Sequence, residues 1–172
     1  MDKNETRAEK RIRKPIIITK VELGKHGIIK IDYDKSRDGM YESFRMESAD
    51  KAAPEFYDAF QYLASHIQAI MSLDTVVLGR IIPKKIMVSY DELDRVAVKL
   101  GFNLLVPMCN DSVQIITPPL KETDRPVSEL STERPAELTV QTLEAIHFLL
   151  DETTKYLNGE RAQGNLFKQE AV

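Results

Sequence analysis

Few residues of this chain combine a reactive type with a useful spacing. His26, His66 and His147 are far apart, and no Cys-x-x-Cys accompanies them. Zinc chemistry and a histidine acid–base site are therefore not expected. His66 and His147 adjoin apolar faces and read as satisfied packing residues. The run Asp32-Tyr33-Asp34-Lys35-Ser36-Arg37-Asp38-Gly39 is acidic. A calcium loop begun at Asp32 needs glycine at its sixth position and glutamate at its twelfth, where the chain has Arg37 and Ser43. The run reads better as a hairpin with solvated carboxylates. No Gly-x-Ser-x-Gly elbow offers a nucleophile, and no Gly-x-x-x-x-Gly-Lys or Gly-x-Gly-x-x-Gly offers a phosphate cradle. Cys109 is the sole cysteine, so no intramolecular disulfide is available. Its neighbours Val106 and Met108 point to a small buried thiol, and a reducing, cytoplasmic setting fits. An enzyme is the least supported class, and no catalytic residue, metal or cofactor is expected.

Binding chemistry is better represented, at the two ends. The chain carries 24 basic and 27 acidic residues, a net charge of −3. That balance argues against a general nucleic-acid binder, which usually has a basic face and a high pI. Residues 1–14 depart from it, with Arg7, Lys10, Arg11, Arg13 and Lys14 in one short stretch. This basic arm is a candidate nucleic-acid contact, although short charged termini are more often solvated tails. Tyr41, Tyr57 and Tyr62 could stack on bases, but without basic neighbours they read as partial core.

Near the other end the chain reads Gln163-Gly164-Asn165-Leu166-Phe167. These five residues resemble the bacterial sliding-clamp-binding peptide, whose usual form is Gln-Leu-(Ser/Asp)-Leu-Phe. Gln163, Leu166 and Phe167 match its key positions, and Asn165 is close to its small polar third residue. Gly164 replaces the usual leucine and removes one apolar contact, worth roughly 1–2 kcal/mol when buried. The resemblance implies that Leu166 and Phe167 enter an apolar pocket of the clamp while Gln163 orients the peptide. A few anchoring side chains suffice for recognition of this kind. A wider stretch, Lys155 to Phe167, is similar to the ending of small uncharacterised bacteriophage proteins, which close with a helix, a Tyr-x-x-Gly-x-Arg-Ala-Gln turn and a Leu-Phe. Pro54-Glu55-Phe56-Tyr57-Asp58-Ala59-Phe60 is similar to the opening of their first helix. That likeness implies a phage origin and a role near DNA metabolism, without a known activity.

The elements that carry these ends follow from periodicity. A length of 172 residues, with 42% hydrophobic and 30% charged, suits one soluble domain with its own core. No apolar run approaches a membrane span, and the charged N-terminus lacks a signal peptide's apolar stretch. Beyond Pro15 the period is two. Ile17, Thr19, Val21 and Leu23 fall on one face of a first strand. After a turn at Gly24-Lys25-His26-Gly27, Ile29, Ile31 and Tyr33 point inward from a second. A third runs from Met40 to Glu47, with Phe44 and Met46 on the apolar face and Asp38-Gly39 as the intervening turn. Pro54 opens a helix ending near Leu73, with Phe56, Phe60, Leu63, Ile67, Ile70 and Met71 on one face, and this helix should cover the meander. Val76–Ile82, Lys85–Tyr90, Arg95–Val106 and Ser112–Thr117 are strand candidates, with Asn110-Asp111 as a hairpin turn. Pro83 and Pro107 limit where a strand can be central. The proline-rich stretch 118–135 reads as a surface connection. A second helix spans about Ala136 to Asn158, with Leu143, Ile146, Leu150 and Leu157 sharing a face and Asn158-Gly159 as its C-cap.

The expected fold class is α+β: antiparallel β-meanders in βββ-α-ββββ-α order, covered by two amphipathic helices. Residues 1–14 form a flexible basic arm, 15–158 a single domain and 159–172 a flexible tail. The expected function is a non-enzymatic phage accessory protein of DNA replication or recombination, docked on the sliding clamp in the host cytoplasm. Two alternatives stand beside it: a nucleic-acid-binding module using the arm, and an acidic inhibitor of a host defence protein. A homodimer through exposed helix faces is compatible with either.

Overall fold

A computed structural model describes residues 15–37, 40–91, 95–108, 111–122 and 137–161. The elements follow in the order β1 (Ile16–Leu23), β2 (Ile29–Arg37), β3 (Met40–Ser48), α1 (Pro54–Ile70), β4 (Ile81–Tyr90), β5 (Val96–Val106), β6 (Asp111–Ile116), β7 (Leu120–Lys121) and α2 (Val140–Leu157). This is the expected α+β arrangement. Among the described residues the strands form one antiparallel sheet in the order β3-β2-β1-β4-β5-β6, and β7 pairs with β5 beyond the end of β6. No helix among the described residues is long and apolar enough to cross a membrane.

Alternation builds the first hairpin, with one interruption. Ile18 pairs with Tyr33 and Lys20 with Asp32, so Thr19 is an extra residue opposite β2. Its hydroxyl donates to the Asp32 carbonyl at 3.1 Å. The bulge shifts the phase of the strand. The core-facing set is Ile16, Ile18, Val21 and Leu23, not the expected Ile17, Thr19, Val21 and Leu23. On β2, Ile29 and Ile31 are fully buried as expected. Phe44 of β3 is 41% exposed, with its ring stacked on Tyr33 at 5.6 Å.

Two of the expected strands are a single one. β4 runs from Ile81 through Pro83 to Tyr90, while Leu78–Arg80 form a short 3-10 helix before it. Pro83 is tolerated there because β1 pairs with β4 only at Lys85 to Met87. Lys84 is extruded as a second bulge on the β5 side. Asp38-Gly39, Cys109 and Asn110 lie outside the described residues. Met108, whose apolar character argued for burial of its neighbour, is 94% exposed.

α1 begins at Pro54, whose fixed φ and missing N–H suit a first helical position. It buries Phe56, Ala59, Phe60, Leu63, Ala64 and Ile67. It lies chiefly over β4, and α2 is the helix that reaches β1. This corrects the expectation that α1 covers the meander. α2 buries Ala145, Ile146, Leu149, Thr153 and Tyr156, with Leu143, Leu150 and Leu157 along the margin. Its packed face is therefore rotated from the expected one. Thr153 can sit there because its hydroxyl donates to the Leu149 carbonyl at 2.7 Å.

Candidate functional site

The end of α2 is where the described chain meets the clamp-like peptide. α2 starts at a side-chain cap: the Thr139 hydroxyl accepts from the Thr142 N–H at 3.2 Å. It stops in a glycine motif. The Gly159 N–H donates to the Tyr156 carbonyl at 3.1 Å and the Glu160 N–H to the Lys155 carbonyl at 3.1 Å. Gly159 has φ +98°. These two bonds and the left-handed residue form a Schellman ending, which satisfies two terminal carbonyls and turns the chain.

The turn delivers Arg161 back onto the helix. Its guanidinium carbon lies 3.6 Å from the centre of the Tyr156 ring. One terminal nitrogen donates to the Tyr156 carbonyl, and Nε is 3.8 Å from Asp50 Oδ2. Tyr156 is itself 1% exposed, packs against Phe56 at 5.8 Å and donates its hydroxyl to the Asp50 carbonyl at 2.7 Å. The Tyr-x-x-Gly-x-Arg pattern thus has a physical account. Tyr156 anchors the last turn in the core, Gly159 reverses the chain, and Arg161 stacks over the anchor. The described fold continues to Arg161, and Gln163 follows two residues later. Gln163, Leu166 and Phe167 lie outside the described residues, as do Arg7, Lys10, Arg11, Arg13 and Lys14.

Sequence reasoning missed Arg161, Tyr156 and Asp50 as a unit. The Tyr-to-Arg spacing was visible, but the Asp50 partner is 106 residues from Tyr156. Lys155, beside the anchor, holds Glu152 Oε1 at 2.6 Å. That hydrogen bond raises the Lys155 pKa and gives the buried Glu152 a partner.

The histidines separate. His26 and His147 are exposed, which corrects the packing role expected for His147. His66 joins the helices instead: its Nδ1 is 3.0 Å from Thr142 Oγ1, and its Nε2 is buried without a partner among the described residues. Burial pushes the His66 pKa below its ordinary value. Tyr57 is partly buried and its hydroxyl oxygen accepts from the Ala52 N–H at 3.3 Å, but Tyr41 and Tyr62 are 39% and 58% exposed. The last two are not core residues.

Around the β2–β3 pair, a shallow cleft of about 290 Å³ is lined by Thr19, Asp32, Tyr33, Asp34, Ser43, Phe44 and Arg45. Its polar groups are already engaged with one another. Arg45 grips Asp32 with Nε at 2.7 Å and Nη2 at 3.1 Å, and Ser43 donates to Asp34 Oδ1 at 2.7 Å. The Arg45 hydrogen bond holds the Asp32 carboxyl below the usual carboxylate range. Among the described residues no group of three or more His, Cys, Asp or Glu is arranged to hold a metal ion. The arrangement is a salt-bridged sheet surface.

No protein family, curated protein or solved structure matches the chain.

Proposed function

We propose that this protein is a non-enzymatic accessory factor of bacteriophage DNA replication or recombination, and that it docks on the bacterial sliding clamp through Gln163, Leu166 and Phe167. The observation that carries the reading is the position of the motif. Gln163 comes two residues after Arg161, which is fastened to Tyr156 and Asp50. The described residue two positions before the motif is therefore held on the core. Leu166 and Phe167 supply the apolar anchors, and Gln163 supplies orientation. The folded domain is then cargo that the clamp brings to DNA.

The test is binding of a labelled peptide of residues 158–172 to a purified bacterial sliding clamp. Competition by an established clamp-binding peptide is the control. Competable binding at micromolar strength is the expected result. Absence of binding overturns the reading.

A second reading has one observation in its favour. The basic arm joins β1 at Pro15, whose carbonyl accepts from the Ser36 N–H at 3.0 Å. Ile16 pairs with Lys35, and Arg37 ends the same strand. Lys35 and Arg37 thus add two cations near Pro15, the described residue that follows the arm in the sequence. This reading calls for DNA binding that weakens steeply with salt and vanishes when residues 1–14 are removed.

A further inference from the structure

The two edges of the sheet are built differently. After β6, which has six residues, Pro118 and Pro119 interrupt the ladder before β7 resumes pairing with β5. Prolines cannot donate, so they blunt that edge. β3 has nine residues and no proline, and pairs along its length with β2. No strand among the described residues lies beyond it. A long unbroken edge is a template for a further strand.

The charges on the face away from the helices point to the strand it would take. Side chains there form rows across the sheet. In one row Lys20 is opposite Asp32, and Asp32 is opposite Arg45. That row reaches the β3 edge with a positive charge. In the next, Lys85 is opposite Glu22, Glu22 opposite Lys30, and Lys30 opposite Glu47. Within it Lys85 is 3.8 Å from Glu22, and Lys30 is 3.1 Å from Glu47. This row reaches the edge with a negative charge. The edge therefore presents Arg45 and Glu47 side by side on one face, with opposite signs.

Such an edge is complementary to itself after a two-fold rotation. A second β3 laid antiparallel, with Met46 facing its own counterpart, sets Arg45 opposite Glu47 of the second copy. The same operation sets Glu47 opposite Arg45 of the second copy. The row Lys20, Asp32, Arg45 then continues as Glu47, Lys30, Glu22, Lys85 of the second copy, and the sign alternates at every step. Opposite charges directly across a strand pair are favourable, and like charges are not. On the helix side this register stacks the two Met46 side chains and places the half-exposed Phe44 against the second strand. The chain's own C-terminal segment is a poorer occupant, because Gly164 and Asn165 are both depleted in strands.

We propose that β3 pairs with β3 of a second copy of this chain, giving a two-fold dimer with one continuous sheet and reciprocal Arg45–Glu47 ion pairs. This proposal is independent of the clamp reading. Sedimentation of the full chain over a range of concentrations at low salt tests it. The mass should rise from 19.6 kDa toward twice that value. R45E and E47R should each weaken self-association by at least about tenfold, because each replaces attraction by repulsion at both pairs. Thermal melting of each variant alone checks that it folds. An equimolar mixture of the two variants should recover the dimer, since two acidic positions then face two basic ones. A wild-type chain that stays monomeric overturns the proposal. So does a dimer that needs deletion of residues 162–172, which would give the edge to the tail. A dimer indifferent to both substitutions, or one that the mixture fails to restore, also overturns it.

Discussion

The guanidinium of Arg161 stacks 3.6 Å from the centre of the Tyr156 ring, in the last turn before the clamp-like peptide. Tyr156 is in turn fixed by Asp50, whose carbonyl accepts its hydroxyl at 2.7 Å. The end of α2 is thereby tied to the loop that follows β3. Arg161, two positions before that peptide, is held on Tyr156 and near Asp50, which gives the end of the helix a firm base.

That base has a measurable strength. Tyr156→Phe removes the hydrogen bond to the Asp50 carbonyl and should cost about 1 kcal/mol. Tyr156→Ala opens a cavity beside Phe56 and should cost about 3–5 kcal/mol. Denaturant unfolding of both variants reads the difference. Equal and small losses would mean that the ring does not anchor the helix end.

Gly159 tests the turn itself. Its φ of +98° is a backbone conformation that L side chains rarely adopt, and a Cβ there would meet nothing within 4 Å. The cost of Gly159→Ala is therefore backbone strain alone, about 1 kcal/mol. Thermal or denaturant unfolding measures it. An unchanged midpoint would mean that the helix ends in some other way.

The join between the helices should respond to pH. His66 has its pKa lowered from 6.5 by burial, so the folded state disfavours its protonated form. The unfolded chain then binds more protons in the window between the lowered value and 6.5. The stabilising contribution is complete above pH 6.5 and falls as the pH drops through that window. His66→Gln removes this dependence. The difference in stability between wild type and H66Q, followed from pH 7.5 to pH 4.5, should shift toward the variant as pH falls. Parallel curves would contradict the assignment.

The order of strands and helices was legible because both periods are strong. Ile29-x-Ile31-x-Tyr33 alternates without interruption, and Phe56, Phe60, Leu63 and Ile67 keep the helical spacing. The facing of β1 was not legible. Ile16-Ile17-Ile18 offers apolar residues in either phase, and the bulge at Thr19 selects the phase through pairing with β2. The packed face of α2 was missed for a related reason. Leucines at 143, 150 and 157 outweigh Thr153 in any apolar count, yet Thr153 is fully buried because its hydroxyl bonds within the helix. The candidate site divides in the same way. A linear motif such as Gln163-x-x-Leu166-Phe167 is readable because its chemistry is local. The Tyr156–Asp50 bond is not, since it joins residues 106 apart in the chain.

Gly164 is the position at which the peptide departs from the usual clamp-binding form. Gly164→Leu restores an apolar contact worth roughly 1–2 kcal/mol. Affinity of the 158–172 peptide for the clamp should rise about tenfold. A substitution without effect would mean that the peptide does not occupy the clamp pocket in the expected register.

The most direct measurement is clamp binding by the full-length chain, compared with a variant carrying Leu166→Ala and Phe167→Ala, alongside the melting temperature of each. The account predicts saturable binding by the wild type, its loss in the variant, and unchanged melting. Undiminished binding by the variant, or a fall in its melting temperature that shows these side chains packed on the domain, would contradict it.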